Sequence, residues 1–351
     1  MSTTSSTRSP WSYYTVSIAS FFVAVAAGFF FGGISGALIV AVLAVLETSL
    51  SLDNAVVNAR ILQNWDAKWR NIFLTWGIWI AVFGMRIVFP IAIVSVIAGQ
   101  GPLHVIDMAL NRPAEYSAVL TAAHPQIAGF GAAFLMMVGL GFFFEEKHVY
   151  WLEWAETKLT RFGQIEGISA AVTIAILFLT RGHVEAASQA AFFEAGLWGI
   201  VAFIIAHGLG TLLGGEEEGD DAAGAVIKAG IAGFLYLEIL DASFSFDGVI
   251  GAFALSNYLP IIALGLGVGA FFVRSFTIHM VDAGVMGEYR YLEHGAFYAI
   301  ISLAVIMLAS ACGLHLPEWV TGLLGAAILA VALGHSVLAN KRDALAPAPA
   351  E

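Results

Sequence analysis

Ten apolar runs follow one another along the chain, each bounded by polar residues or by Gly and Pro. They fall near 14–34, 36–58, 71–98, 126–144 and 165–180, then near 191–213, 225–256, 260–282, 294–312 and 318–338. Most have the ~20 residues that a helix needs to cross the hydrocarbon core of a bilayer; the fifth is short. Lipid offers the backbone no hydrogen-bond partners, so only helices and closed barrels can span it. Continuous apolar runs of this length predict helices. Composition agrees, with 59% hydrophobic residues, 12% charged residues and a mean hydropathy of +0.85. A soluble domain carries about 25% charged residues and can cover itself with them. The expected fold is an all-α polytopic membrane protein of about ten transmembrane helices, with the lipid bilayer as its first partner.

Basic residues set the orientation. Arg60, Lys68 and Arg70 follow the second run, Lys147, Lys158 and Arg161 the fourth, and Lys341 and Arg342 the last. All three clusters share one side if the N-terminus with Arg8 is cytoplasmic, and positive charge favours that side. This predicts a plasma-membrane protein of the bacterial inner-membrane type with both termini inside. The expected organisation is a cytoplasmic segment at 1–13, a first repeat at 14–182, a second at 190–338 and a flexible cytoplasmic tail at 339–351. The first run has no clear small-residue cleavage site and reads as a retained helix. The net charge of −11, much of it in "GGEEEGDD" (214–221), argues against a nucleic-acid partner. Cys312 stands alone, so neither an intramolecular disulfide nor a cysteine cluster is expected.

Inside these runs lie carboxylates, and they repeat. Glu47-Thr-Ser-Leu-Ser-Leu-Asp53 aligns with Asp241-Ala-Ser-Phe-Ser-Phe-Asp247, matching acids, serines (Ser49 with Ser243, Ser51 with Ser245) and the apolar positions between. "GFFFGG" (28–33) precedes the first motif and "GTLLGG" (210–215) the second, while the next run in each half carries a lone arginine, Arg86 or Arg274. Five spans per half is odd, so the halves would enter the membrane in opposite directions. This is the inverted-repeat pattern of secondary transporters, whose sites lie near the midplane between the repeats.

An acid within a span costs about 2.5–3.5 kcal/mol on insertion scales. On an ideal helix Glu47, Ser51, Asn54 and Asn58 share one face, and Glu238, Asp241 and Ser245 form a similar stripe. Asp53 and Asp247 fall about 120° away unless the helix is irregular, and Gly248 favours a break in the second half. Converging carboxylates, hydroxyls and amides would make a hard-cation site suited to Mg, Ca or Mn. The competing structural reading pairs the acids with Arg86 and Arg274 as internal glue; four motif acids plus Glu238 outnumber the two arginines. An intramembrane aspartyl enzyme is a third reading, but no nucleophile–base set stands out and no enzyme activity is expected. No prosthetic group is expected, and self-association is left open.

At these residues the chain resembles the TerC-like integral membrane proteins, a branch of the LysE transporter superfamily. That family is marked by an acidic E-x-x-L-S-x-D-N segment in its first half and a second Asp-containing segment in its second. "ETSLSLDNA" (47–55) fits the first closely; "EILDASFSFDGVIGAFAL" (238–255) fits the second more loosely, with Gly248 in place of Ser and no following Pro. The resemblance implies a transporter exporting manganese or a related divalent cation. By match to the motifs it implies Glu47, Asp53 and Asn54 as metal ligands and Glu238, Asp241 and Asp247 as their counterparts, supported by Ser51, Ser245, Arg86 and Arg274. A metal-binding sensor or assembly module that moves no ion remains the alternative.

Other polar residues invite weaker readings. His279 and Asp282 read equally as a proton relay or as a boundary pair. Glu145, Glu146, His148, Glu293 and His294 should lie at the cytoplasmic face, as an acidic vestibule or as ordinary helix ends. His207 reads as a packing residue, and the aromatic residues at 11–14, 65–79, 150–154 and 319 as interfacial belts.

Overall fold

The computed structural model describes residues 9–213 and 229–345, and of Asp247 it describes the backbone alone. The described residues form helices joined by short turns and loops, without strands. In chain order the helices are α1 (Thr15–Leu50), α2 (Leu52–Gln63), α3 (Ala67–Ile72), α4 (Phe89–Ala98), α5 (Pro102–Asn111), α6 (Pro113–Ala122), α7 (His124–Phe144) and α8 (Glu153–Phe162). They continue with α9 (Ile168–Arg181), α10 (Gln189–Leu213), α11 (Ile231–Leu255), α12 (Leu259–Asp282), α13 (Val285–Glu288), α14 (Leu292–Ala311) and α15 (Glu318–Leu345). Two wider π-helical stretches, Phe73–Gly77 and Ile80–Val88, join α3 to α4.

Six of these helices are long and apolar enough to cross a membrane: α1, α7, α10, α12, α14 and α15. A pair bent by 40°, Ala67–Gly77 with Ile80–Val96, makes a seventh when taken as one span. The helix α11 is as long as these, but every membrane-length stretch of it contains Glu238, Asp241 and Asp247. Phe22, Phe30, Ile34, Leu38, Trp198 and Phe178 all face outward. A soluble monomer does not tolerate so much exposed apolar surface, and lipid does. This is a multi-pass membrane fold.

Helix α1 is a hairpin rather than a rod. Gly32 leaves helical geometry and Gly33 takes φ +61°, so the chain reverses there. Across the reversal a Cβ on Gly36 would lie 2.3 Å from the Gly28 carbonyl oxygen. In a straight helix those two residues would stand about 12 Å apart. The two arms pack along α12, where Gly265 and Gly269 admit Leu43 and Glu47 at close range. Small residues four apart let membrane helices approach in this way. The buried centre is formed by α7, α12 and α14, with α1, α10 and α15 outside them.

Several expectations need correction. The run 36–58 is broken at Ser51 (φ −107°, ψ 16°), where α1 ends and α2 begins. The break expected at Gly248 is absent, because α11 runs unbroken through it. The stretch 99–125, expected as an outer loop, folds into α5 and α6, whose Val105, Met108, Tyr116 and Leu120 are buried against α4 and α11. Trp65 is buried in the core beside Phe73, not at an interface. Residues 214–221, including the end of "GTLLGG", lie outside the described residues.

Candidate functional site

The second arm of α1 carries Glu47 in its last turn, and α2 places Asn54 and Asn58 on the same side. Arg86 comes from the π-helical stretch, Glu238 and Asp241 from α11, and Arg274 from α12. These residues meet in the interior. Arg86 is 2% exposed and Glu47 1%. The Arg86 guanidinium donates to Glu47 Oε1 and, at 2.5 Å, to the Ala81 carbonyl oxygen; its Nη1 lies 3.7 Å from Asp241 Oδ2. Asn54 Nδ2 donates to Asp241 Oδ1, and Ser51 Oγ donates to Glu47 Oε1 at 3.4 Å. The order Glu47–Arg86–Asp241–Asn54 therefore interlaces the two sequence motifs.

Next to it lies a cavity of about 40 Å³ lined by Ser51, Asn58, Arg86, Glu238, Asp241 and Arg274, among others. On this measure a water needs about 10–15 Å³, so there is room for roughly three waters or a partly hydrated ion. Neither carboxylate oxygen of Glu238 has a hydrogen-bond partner among the described residues, nor do Asn54 Oδ1 and Asn58 Oδ1. Buried oxygens of this kind are costly in an apolar interior unless a proton, water or cation meets them. Glycines allow the acids in. A Cβ on Gly269 would fall 2.4 Å from Glu47 Cβ and Cγ, one on Gly77 2.8 Å from Glu238 Oε1, and one on Gly248 2.9 Å from Glu47 Oε2.

Not every expected ligand joins this centre. Asp53 is buried, but its carboxylate accepts the Asn54 backbone N–H at 3.0 Å and does not line the cavity. Ser245 is buried and is also off the cavity wall. Arg274 reaches the wall, yet its Nε donates to the Leu74 carbonyl, and it forms no ion pair among the described side chains. The Asp247 side chain lies outside what is described. Among the described residues no three His, Cys, Asp or Glu side chains are gathered as a metal-holding set. Arg86 occupies the position between the two motif acids.

The two ends of the bundle are distinct. One gathers Arg60 with Glu293, Arg290 with Asp343, and Trp151 Nε1 with His335 Nδ1 at 2.9 Å. Here Glu156, wholly buried, accepts from the Trp151 and Leu152 backbone N–H groups and from the Tyr298 hydroxyl, each at 3.2 Å. Burial lowers the Lys147 ammonium to about 8, and burial raises the Glu145 carboxyl. These are the segments assigned to the inside by charge. His279 is fastened to the N-terminal aromatics, stacked on Tyr13 and bonded to the Tyr14 hydroxyl at 2.9 Å. His207 stacks on Phe203, as a packing residue does.

The family described as "protein of unknown function (DUF475)" matches residues 52–343. The chain belongs to this family. The DUF475 match spans everything from α2 almost to the end of α15, so it takes in Asp53, Asn54, Arg86, both acids of α11 and Arg274, and leaves out Glu47. No curated protein and no solved structure matches the chain. Within this DUF475 chain, sequence reasoning missed the carbonyl partners Ala81 and Leu74, which carry no side-chain signal. It also passed over Gly265-x-x-x-Gly269, a legible sign of close helix contact.

Proposed function

We propose that this DUF475 protein is a secondary transporter of a divalent cation, with manganese favoured and export from the cytoplasm as its direction. The observation that carries this reading is the meeting of Glu47 and Asp241, equivalent positions of the two sequence motifs, on one buried arginine beside a polar cavity. Counting each arm of α1, the bent pair, α7, α9, α10, α11, α12, α14 and α15 as spans gives ten, in two inverted halves of five. The packing is consistent with that symmetry. The motif arm of the first half packs on α12, which follows the second motif, and the π-helical stretch that follows the first motif packs on α11. In the proposed cycle the cation displaces Arg86 from the acids, the halves rock, and the site opens outward. Protons or the membrane potential reset it. The resemblance to TerC-like proteins favours manganese, and carboxylate and amide oxygens suit that ion. The basic clusters after the second, fourth and last apolar runs support an orientation with both termini cytoplasmic, and a bacterial inner membrane as the location is part of the same proposal.

One observation favours the second reading, a non-transporting metal sensor or assembly module. Arg86 already engages both motif acids, as a static lock would. Flux separates the two readings. Proteoliposomes holding the purified protein should take up Mn²⁺ saturably, ahead of Mg²⁺, Ca²⁺ and Zn²⁺, and a Glu47→Gln/Asp241→Asn variant should not. Metal binding without flux in the unaltered protein would leave the sensor reading standing.

A further inference from the structure

The end of the bundle opposite the Arg60–Glu293 pair holds a second, larger cavity of about 520 Å³. Its wall includes Thr121 near the end of α6, His124 at the start of α7, Glu185 from the connection between α9 and α10, Gly251 of α11, Ser310 of α14 and His315 from the segment after α14. All but the helix termini come from segments that charge assigns to the outside. Gly251 stands ten residues along α11 from Asp241, about 15 Å at helical rise, so one helix joins this cavity to the buried acids.

Two imidazoles converge at its wall. Ser310 Oγ lies 3.2 Å from His124 Nε2 and 2.9 Å from His315 Nδ1, and the two ring centroids are 5.6 Å apart. One hydroxyl proton can serve only one of those nitrogens, so at the other the ring must donate. Both nitrogens thus aim at one point, from residues nearly two hundred positions apart in the chain. His124 is 8% exposed and held by its helix, while His315 is exposed and free to adjust. Glu185 adds a carboxylate to the same wall. Cys312 also borders the cavity, but its thiol is directed to the Thr180 carbonyl.

We propose that His124 and His315, with the Ser310 hydroxyl between them, form a second cation site at the outer cavity, taking a borderline divalent ion of the zinc type. Imidazole nitrogen selects zinc, cobalt, nickel and copper over the hard ions that carboxylates prefer. Two imidazoles and a hydroxyl leave positions for water, which gives an exchangeable site rather than a closed structural one. The site does not depend on ions crossing the membrane. It makes the outer mouth chemically unlike the buried centre, softer in its ligands and open to solvent.

The test is a Co²⁺ titration of tag-free, full-length protein in detergent, followed by visible ligand-field absorption and then by Zn²⁺ competition. The expected result is one Co²⁺ bound, displaced by Zn²⁺ and not by equimolar Mn²⁺. His124→Gln and His315→Gln should each weaken it by more than the ~10–100-fold that loss of an outer-shell partner costs. The Glu47→Gln/Asp241→Asn variant should bind Co²⁺ unchanged, even where it abolishes flux. His315 is exposed, so its variant should unfold at the wild-type temperature and can decide the matter alone if His124→Gln misfolds. Absence of Co²⁺ binding, binding unaltered in the histidine variants, or binding lost only with the acids would each overturn the proposal.

Discussion

Replacing Arg86 with Met tests the centre most directly. The guanidinium is buried and satisfies Glu47 Oε1 and the Ala81 carbonyl while facing Asp241 at 3.7 Å. Methionine fills part of the volume but leaves two carboxylates confronting each other, with Glu238 on the same cavity wall. Removing one partner of a buried ion pair costs about 3–5 kcal/mol, because the other charge stays buried without compensation. Thermal unfolding of the purified protein should therefore move down by an amount of that order. Adding Glu47→Gln to Arg86→Met should recover part of the loss, since the two sites share one interaction. If Arg86 stands where the cargo binds, Mn²⁺ should stabilise Arg86→Met more than the unaltered protein. A ligand at one hundred times its Kd contributes about 2.7 kcal/mol, enough to restore most of the deficit. An Arg86→Met protein within about 1 kcal/mol of the original would mean that the acids are already neutral and that the arginine compensates nothing. Equal Mn²⁺ stabilisation of both proteins would refute the competition between arginine and cation.

Further outcomes follow from particular contacts. Gly269→Val sets a side chain where even its Cβ would be 2.4 Å from Glu47, so the α1 hairpin must shift; overpacking of this kind costs about 1–3 kcal/mol, and a thermal melt would read it. Glu156→Ala strips the acceptor from two backbone N–H groups and the Tyr298 hydroxyl; denaturation should register at least ~2 kcal/mol, since each orphaned buried donor costs about 1–3. By contrast Arg60→Gln breaks an ion pair with Glu293 whose side chains are still 34% and 26% exposed, and should alter stability by about 1 kcal/mol or less in the same assay. Lys147 binds its proton less readily folded, at about 8, than unfolded, near 10.5. Between those values the unfolded chain holds more protons, so stability should rise as pH rises from about 8 to 10.5 and be lowest below 8. Lys147→Met should flatten that part of the pH profile, and an unchanged profile would show that folding does not depress the lysine.

Much of this architecture was legible because lipid is an exacting solvent. Apolar length located the six helices long enough to cross a membrane, and the reversal at Gly32 and Gly33 falls close to the boundary between the first two apolar runs. The polar stripe was legible in part: Ser51 and Asn58 do line one cavity wall, while Glu47 and Asn54 reach the same region through Arg86 and Asp241, across a helix break at Ser51 that a continuous 3.6 period does not anticipate. What failed were inferences from single residues. Gly248 looked like a helix breaker, yet it serves as a place without a side chain opposite Glu47, while the break falls at Ser51. Between "VIAG" and "HPQ" the chain looked like a loop because its apolar residues come in runs too short to span. α5 and α6 nevertheless bury Val105, Met108, Tyr116 and Leu120 from those runs against the bundle. Arg86 and Arg274 were indistinguishable by position in the repeat. Only packing gave the first its acids and the second a carbonyl.

That asymmetry bears on mechanism. If the two halves were equivalent in one conformation, each arginine would hold the acid of the opposite half. Instead Arg86 holds both Glu47 and Asp241, while Arg274 stands at the cavity wall bonded to backbone. An inverted-repeat transporter gains its second conformation by exchanging the states of its two halves. On the proposed inverted-repeat reading, the exchanged state would have Arg274 engaged with an acid and Arg86 released to a carbonyl such as that of Ala81, which it already contacts at 2.5 Å. In the transporter reading, then, the cation need not compete with both arginines at once. It arrives when one arginine has withdrawn and the other has not yet closed, and Glu238, with both oxygens unpartnered beside the cavity, is the carboxylate free to receive it.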